Sequence, residues 1–351
     1  MNKIFKSRLI LLFITVILLL SITLSGCNVQ DSSNEVGKDQ LAVHFIDVGQ
    51  ADSILIQFPN GQTSLIDGGN RDDKDLVVNY IKEQGIKKID YLIATHPHED
   101  HIGGLPEVIN TFEIGKIYMP KKSANTKIFE RVVKSIKDKG LKATVAKGGI
   151  DIINDNDLKF KIIAPNSDNY SDTNEYSIVN KLEYKNISFL FTGDAEKESE
   201  EEMLNLGYNL SSDVLKVGHH GSRTSTSDKF LKAVNPKYGV ISLGKNNDYG
   251  HPHKEAIDTL KNNNVNILRT DELGTIRIIS DGEKLILPKN IESNTVQNTT
   301  VEKSIYIGNK NTNVYHSEEC SRLPNEKNRV IFNTKEEAEK SGYRPDKQCV
   351  K

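Results

Sequence analysis

The sequence predicts an α/β domain from Leu41 to about Leu287, followed by a much smaller unit. Short apolar runs closed by Gly, Asp or Pro alternate there with amphipathic segments whose apolar residues recur at intervals of three and four. Imidazoles and carboxylates collect where the runs end, on the loops where metal sites are built. A polar, aperiodic stretch then leads into a C-terminal unit that holds two of the three cysteines.

In chain order, the N-terminus carries a basic cap (Lys3, Lys6, Arg8), an apolar run over residues 9–20, and Leu24-Ser25-Gly26-Cys27. The run is shorter than the ~20 residues that cross a bilayer, so residues 1–27 read as a signal peptide. The ending resembles a bacterial lipobox, which implies lipidation of Cys27 and an extracytoplasmic, membrane-anchored protein. Residues 28–40 are a polar tether with little to bury. In the large domain, 41–288, strands are expected at 43–46, 53–56, 64–66, 91–94, 117–119, 160–163, 187–191, 213–217 and 241–243. Helices are expected at 75–83, 127–137, 196–206, 227–234 and 254–262. Residues 289–303 read as a linker and 304–351 as the second unit.

Net charge is −2, so no global field draws this chain onto nucleic acid. Lysines do gather between Lys116 and Lys147, a pattern that usually marks a solvated helix face.

The densest chemistry is Thr95-His96-Pro97-His98-Glu99-Asp100-His101, directly after an apolar run. His96 and His98 alternate on an extended segment, while Asp100 and His101 sit at the turn into Ile102-Gly103-Gly104 and can face a second ion. That spacing suggests a two-metal hydrolase. Later strand ends add Asp194 in Phe191-Thr192-Gly193-Asp194, His219 and His220 in Gly218-His219-His220-Gly221-Ser222, and His251 and His253 in Gly250-His251-Pro252-His253. A carboxylate such as Asp194 can bridge two ions.

The His-x-His-x-Asp-His string resembles the hallmark of the metallo-β-lactamase fold superfamily, which implies a four-layered αβ/βα sandwich with the metal site between two sheets. Six motifs in order, from Phe45-Ile46-Asp47-Val48-Gly49-Gln50-Ala51-Asp52-Ser53 and Leu65-Ile66-Asp67-Gly68-Gly69 to Tyr249-Gly250-His251-Pro252-His253, are similar to the hydrolase domain of ComEC-type competence proteins. Ala51 stands where that family usually has Gly. No histidine occurs between His101 and Asp194, where β-lactamases and glyoxalases carry a ligand; Asn174-Glu175-Tyr176-Ser177 fills that stretch. A nitrogen-poor site takes Mn²⁺ as readily as Zn²⁺, unless His219 supplies the ligand.

The implied chemistry is hydrolysis by water activated between two divalent ions, Zn²⁺ or Mn²⁺, with Asp100 or Asp67 orienting it. His220, Ser222 or Lys216 could stabilise the developing oxyanion. In the C-terminal unit His316 pairs with Cys320, and Asp346 with Cys349, at ligand spacing. The unit resembles the zinc domain of the Ada DNA-repair protein, although Asp346 stands where Cys is usual. A structural Zn²⁺ and a Cys320–Cys349 disulfide both fit. The expected function is a surface phosphodiesterase or nuclease acting on extracellular DNA, with no protein partner indicated. The rivals are a lactonase, thioesterase or β-lactamase-type hydrolase, and a non-catalytic lipoprotein that binds DNA or an envelope polymer.

Overall fold

The computed structural model describes residues 36–288, except 38, and 305–350. The signal segment, Cys27, most of the tether and the linker lie outside the described residues. In the first half, β1 (Leu41–Phe45), β2 (Ile54–Gln57) and β3 (Thr63–Ile66) pair antiparallel with one another in that order. Then α1 (Lys74–Glu83), β4 (Lys88–Ile93), α2 (Glu99–Ile102), α3 (Leu105–Thr111), β5 (Glu113–Pro120), α4 (Lys127–Asp138) and β6 (Ala143–Ala146) continue the sheet in parallel from β3.

The second half begins with β7 (Ile150–Asn154), β8 (Leu158–Ala164), β9 (Val179–Tyr184) and β10 (Ile187–Phe191), which pair antiparallel. It switches to parallel pairing through α5 (Lys197–Asn205), β11 (Val214–Lys216), α6 (Asp228–Val234), β12 (Tyr238–Ile241), α7 (Lys254–Asn262) and β13 (Asn266–Arg269). After α8 (Thr270–Leu273) the chain returns to the first sheet as β14 (Ile276–Ser280) and β15 (Leu285–Ile286). The orders are β15-β14-β1-β2-β3-β4-β5-β6 and β13-β12-β11-β10-β9-β8-β7.

Side-chain alternation along the strands builds the four layers. Ile54 and Ile56 face one way and Leu55 the other, as the period of two requires. Phe45, Ile54, Ile56 and Ile93 meet Phe160, Phe189 and Phe191 between the sheets. Burial of each such side chain is worth about 1.5–3 kcal/mol. Leu55, Leu65 and Leu92 pack outward on Val77, Val108 and Val132 of α1, α3 and α4. Leu190 and Leu215 do the same against Met203, Phe230 and Leu260 of α5, α6 and α7. The expected αβ/βα sandwich is therefore the observed one.

Strands β6, β7, β9 and β13 to β15, and the short helices α2, α3 and α8, lie outside the expected elements. The run expected at 241–243 is instead the end of β12 plus a loop residue pair, Ser242-Leu243.

The small unit forms a sheet of β16 (Tyr306–Asn309), β17 (Val314–Ser317), β18 (Arg329–Phe332) and β19 (Arg344–Pro345), with α9 (Lys335–Lys340), in the order β18-β16-β17-β19. Tyr315, Phe332 and Ala338 make its core. So small a core cannot hold a domain without a staple.

Candidate metal centre

Every segment of the site leaves the carboxyl end of a strand. Asp67 follows β3, Thr95 to His101 follow β4, Asp194 follows β10, His219 and His220 follow β11, and Ser242 and His251 follow β12. Parallel strands deliver these ends to one edge of the sandwich, the crevice in which α/β proteins bind ligands.

The turns that aim the side chains are strained. Asp67, His219 and His220 have positive φ values of 59°, 46° and 51°. Non-glycine residues rarely adopt that conformation, and it concentrates at functional sites. Gly193 also has positive φ (52°), and a Cβ there would lie 3.2 Å from Thr95 Cβ, so glycine lets Asp194 approach the first cluster.

Asp194 is the hub. Its Oδ2 lies 3.2 Å from His101 Nε2, 3.7 Å from both His219 Nε2 and His220 Nε2, and 4.0 Å from His96 Nε2. Asp100 Oδ2 lies 3.3 Å from His220 Nε2 and 3.7 Å from His101 Nε2. Asp100, His101, Asp194 and His220 thus form one compact donor set. On the other side of Asp194, His98 Nδ1 is 3.0 Å from His96 Nε2.

The rear nitrogens of these rings are already engaged. His101 Nδ1–H donates to Asp67 Oδ2 at 2.8 Å, and Asp67 also accepts from Thr95 N and Thr95 Oγ1 at 2.8 and 2.6 Å. His219 Nδ1 lies 2.9 Å from Glu196 Oε1, and His220 Nδ1–H donates to Ser242 O at 2.9 Å. His96 Nδ1 meets Ser177 Oγ at 3.2 Å. Such partners orient imidazole ligands and set the tautomer, which here turns each Nε2 toward Asp194.

The electrostatics fit a cation. Burial would lower His101, yet Asp194, Asp100 and Asp67 hold it well above the ordinary imidazole value. Burial likewise opposes ionisation of Asp194, but His101 and His220 bring it well below the usual carboxylate range. Burial drives His96 well below its ordinary value, leaving a neutral imidazole. Asp194 Oδ1 and His101 Nε2 are buried with no hydrogen-bond partner. Orphaned donors on a shared carboxylate are what a divalent ion satisfies.

The other expected residues lie at different distances from this donor set. Lys216 does not reach the centre: it is fully buried, with Nζ 2.9 Å from Asp52 Oδ2 and from Val217 O. Asp67 has its carboxylate taken up by His101 and Thr95. His220 belongs to the donor set rather than standing apart as an oxyanion donor. Ser222 Oγ is paired with Thr224 Oγ1. His251 stands one ring out, 5.5 Å from His219 between centroids, with its pKa lowered to about 4 by burial and by His220 and His219. His253 Nδ1 accepts from Arg223 N at 3.1 Å, outside the donor sets. The sequence reading missed Glu196, Ser177 and Thr95. Their only signal was adjacency, since Glu196 stands two residues after Asp194, and Thr95 precedes His96.

The model of the metallo-beta-lactamase superfamily matches residues 46–245. The chain belongs to that superfamily. The metal binding domain of Ada matches residues 291–351. ComE operon protein 3 of Bacillus subtilis (strain 168) is 33% identical over 252 residues, covering 67% of this chain and 32% of that protein. Competence protein ComA of Neisseria gonorrhoeae is 28% identical over 243 residues, 69% of this chain and 33% of its own length. Recombination protein 2 of Haemophilus influenzae is 27% identical over 250 residues, 70% and 29% respectively. The chain thus spans about a third of these relatives. Membership of the superfamily makes the large domain a metal-dependent hydrolase fold, as the resemblance implied.

In the Ada-type unit, Cys320 and Cys349 are placed as a disulfide, with Cα atoms 5.6 Å apart. His316 Nδ1 lies 3.5 Å from each sulfur, so the same three residues also make a compact donor set for a metal. Asp346 stands outside that set; its Oδ1 accepts from Arg322 and its Oδ2 lies 3.4 Å from His316 Nδ1.

Proposed function

We propose that the large domain, residues 41–288, is a two-metal phosphodiesterase, most specifically a nuclease acting on extracellular DNA. The observation that carries this is one buried carboxylate, Asp194, shared by His96, His101, His219 and His220. One ion would be held by His96, His98, Asp194 and His219, the other by Asp100, His101, Asp194 and His220. When bound, the ions supply Lewis acidity toward phosphoryl oxygens and a water of lowered pKa.

The chain's own residues prepare that chemistry. Asp67, Glu196 and Ser242 O fix three imidazoles so that their Nε2 atoms converge. Asp100, about a third exposed, is the hub carboxylate nearest solvent and the group placed to accept a proton from the attacking water. The absence of a histidine between His101 and Asp194 favours this reading over a lactonase or β-lactamase. Relatedness to competence proteins supports a DNA substrate.

Protein loaded with Mn²⁺ or Zn²⁺ is expected to contain about two ions in the large domain and to hydrolyse DNA and bis-p-nitrophenyl phosphate. Asp100→Asn should lower that turnover at least ~10²-fold with the fold intact. Hydrolysis of a β-lactam but of no phosphodiester would overturn the assignment.

Anchoring at Cys27 and a zinc staple in the Ada-type unit belong to the same proposal, on the strength of the lipobox and of His316 beside both sulfurs. Intact mass spectrometry of membrane-extracted protein reads both. We expect a chain that begins at Cys27 and carries a diacylglyceryl group, and a metal beyond the two of the large domain, whose loss on chelation leaves two thiols titratable. Retention of residues 1–26 would exclude the anchor. A mass deficit of about two hydrogens with no metal beyond those of the large domain would make the staple a disulfide.

A further inference from the structure

Tyr249, at the mouth of the centre, has no part in the chemistry above. It is 69% exposed, which for one aromatic residue means little. Its position means more. The Tyr249 ring stacks on His251 at 5.8 Å between centroids and 23° between planes. His251 in turn stacks toward His220 at 6.3 Å and 29°. The three rings make a stepped column from the Asp194 donor set out to solvent.

The column is held in place from below. Gln50 Nε2 lies 3.2 Å from His251 Nδ1, and Asn247 both accepts from the His251 backbone N–H at 2.9 Å and donates to the His251 carbonyl at 2.6 Å. Beside it opens a cavity of about 620 Å³ lined by Lys245, Asn246, Asn247, His251 and Arg269. That is the size of a pocket for a small ligand. Arg269 is already paired with Asp271 and Glu272, so the cavity suits a base edge or sugar better than a phosphate.

We propose that Tyr249 is a stacking platform for an unpaired nucleobase next to the scissile phosphodiester, which makes the preferred substrate single-stranded nucleic acid. The proposal rests on the phosphodiesterase reading. Its physical basis is that every base offers a flat π face to an aromatic ring, whereas a base inside a duplex is already stacked on both sides. Tyr249 stands two ring steps, of 5.8 and 6.3 Å, out from His220, so a base stacked on it would belong to a nucleotide one or two positions along the strand from the phosphate at the centre.

The test compares kcat/KM of the Mn²⁺-loaded full chain on an oligothymidylate, on a strand of equal length with abasic sites around the scissile bond, and on a duplex. The wild type should favour the base-bearing single strand over the abasic one by roughly 5- to 100-fold. Y249A should bring that ratio near one, and Y249F should keep it. If the wild type does not distinguish the two strands, or Y249A keeps the ratio, the platform is wrong while the phosphodiesterase reading stands. If no phosphodiester is cleaved, that reading fails, and fluorescence anisotropy with the same strands decides the platform. Tighter binding of the base-bearing strand, lost in Y249A, supports it; equal binding overturns it.

Discussion

Asp194→Ala is expected to empty both ion positions and abolish hydrolysis. Asp194 Oδ2 faces four imidazole nitrogens within 4.0 Å, and among the described residues no other carboxylate comes that close to imidazoles of both halves of the centre. Loss of an outer partner of a metal ligand costs roughly 10- to 100-fold in affinity. Loss of the shared ligand itself should exceed that for both ions at once. The protein also loses the group that does most to offset burial of His101, so without metal this imidazole sits in a less favourable site. Thermal unfolding separates metal loss from misfolding: Mn²⁺ should raise the melting temperature of the large domain in the wild type by mass action and leave that of Asp194→Ala unchanged. Asp194→Asn keeps the shape without the charge and should behave like Asp194→Ala. A variant that retains two ions on element analysis would show that the hub is elsewhere.

Whether residues could be read from sequence depended on the range of the interactions that place them. Strand β10 and helix α7 match their expected limits, 187–191 and 254–262, because an apolar run or stripe with clear breakers at its ends is a local property. Strand β9 escaped notice because Asn180 and Lys181 interrupt its apolar pattern, although both are buried; Lys181 reaches Ser212 Oγ across 31 residues. Helix α3 is short and has Pro106 in its first turn. Strand β14 is defined by pairing with β1, more than two hundred residues away, which no local pattern reveals.

The site divides in the same way. The donor types and most of their positions stand in the motifs, but the backbone at His219 and His220 is left-handed, and that turn decides where each ring points. Asp52 lies in Gly49-Gln50-Ala51-Asp52-Ser53, where its neighbours in sequence do not reveal its partners. Only the fold sets it between Lys216 and His220, whose Nδ1 is 3.7 Å from Asp52 Oδ1.

Lys216→Met is therefore expected to act on stability rather than on the chemical step. Lys216 is fully buried and Asp52 is 2% exposed, and Lys216 Nζ, at 2.9 Å, lies nearer that carboxylate than His220 Nδ1 does at 3.7 Å. Breaking such a pair from one side costs about 3–5 kcal/mol, because the remaining charge stays buried and unpaired. Replacing both partners with apolar groups removes the stranded charge, so Asp52→Leu with Lys216→Met should recover most of the loss. Urea unfolding reads this as a fall in midpoint at constant slope for the single variant and a rise for the double. Unpaired Asp52 would also compete with Ser242 O for the His220 Nδ1–H, tilting one ring of the donor set. Turnover of the folded single variant should fall modestly, with metal affinity falling alongside it. Were Lys216 an oxyanion donor instead, Lys216→Met would lose turnover at unchanged stability and unchanged metal affinity, and its burial behind Asp52 would have to be abandoned.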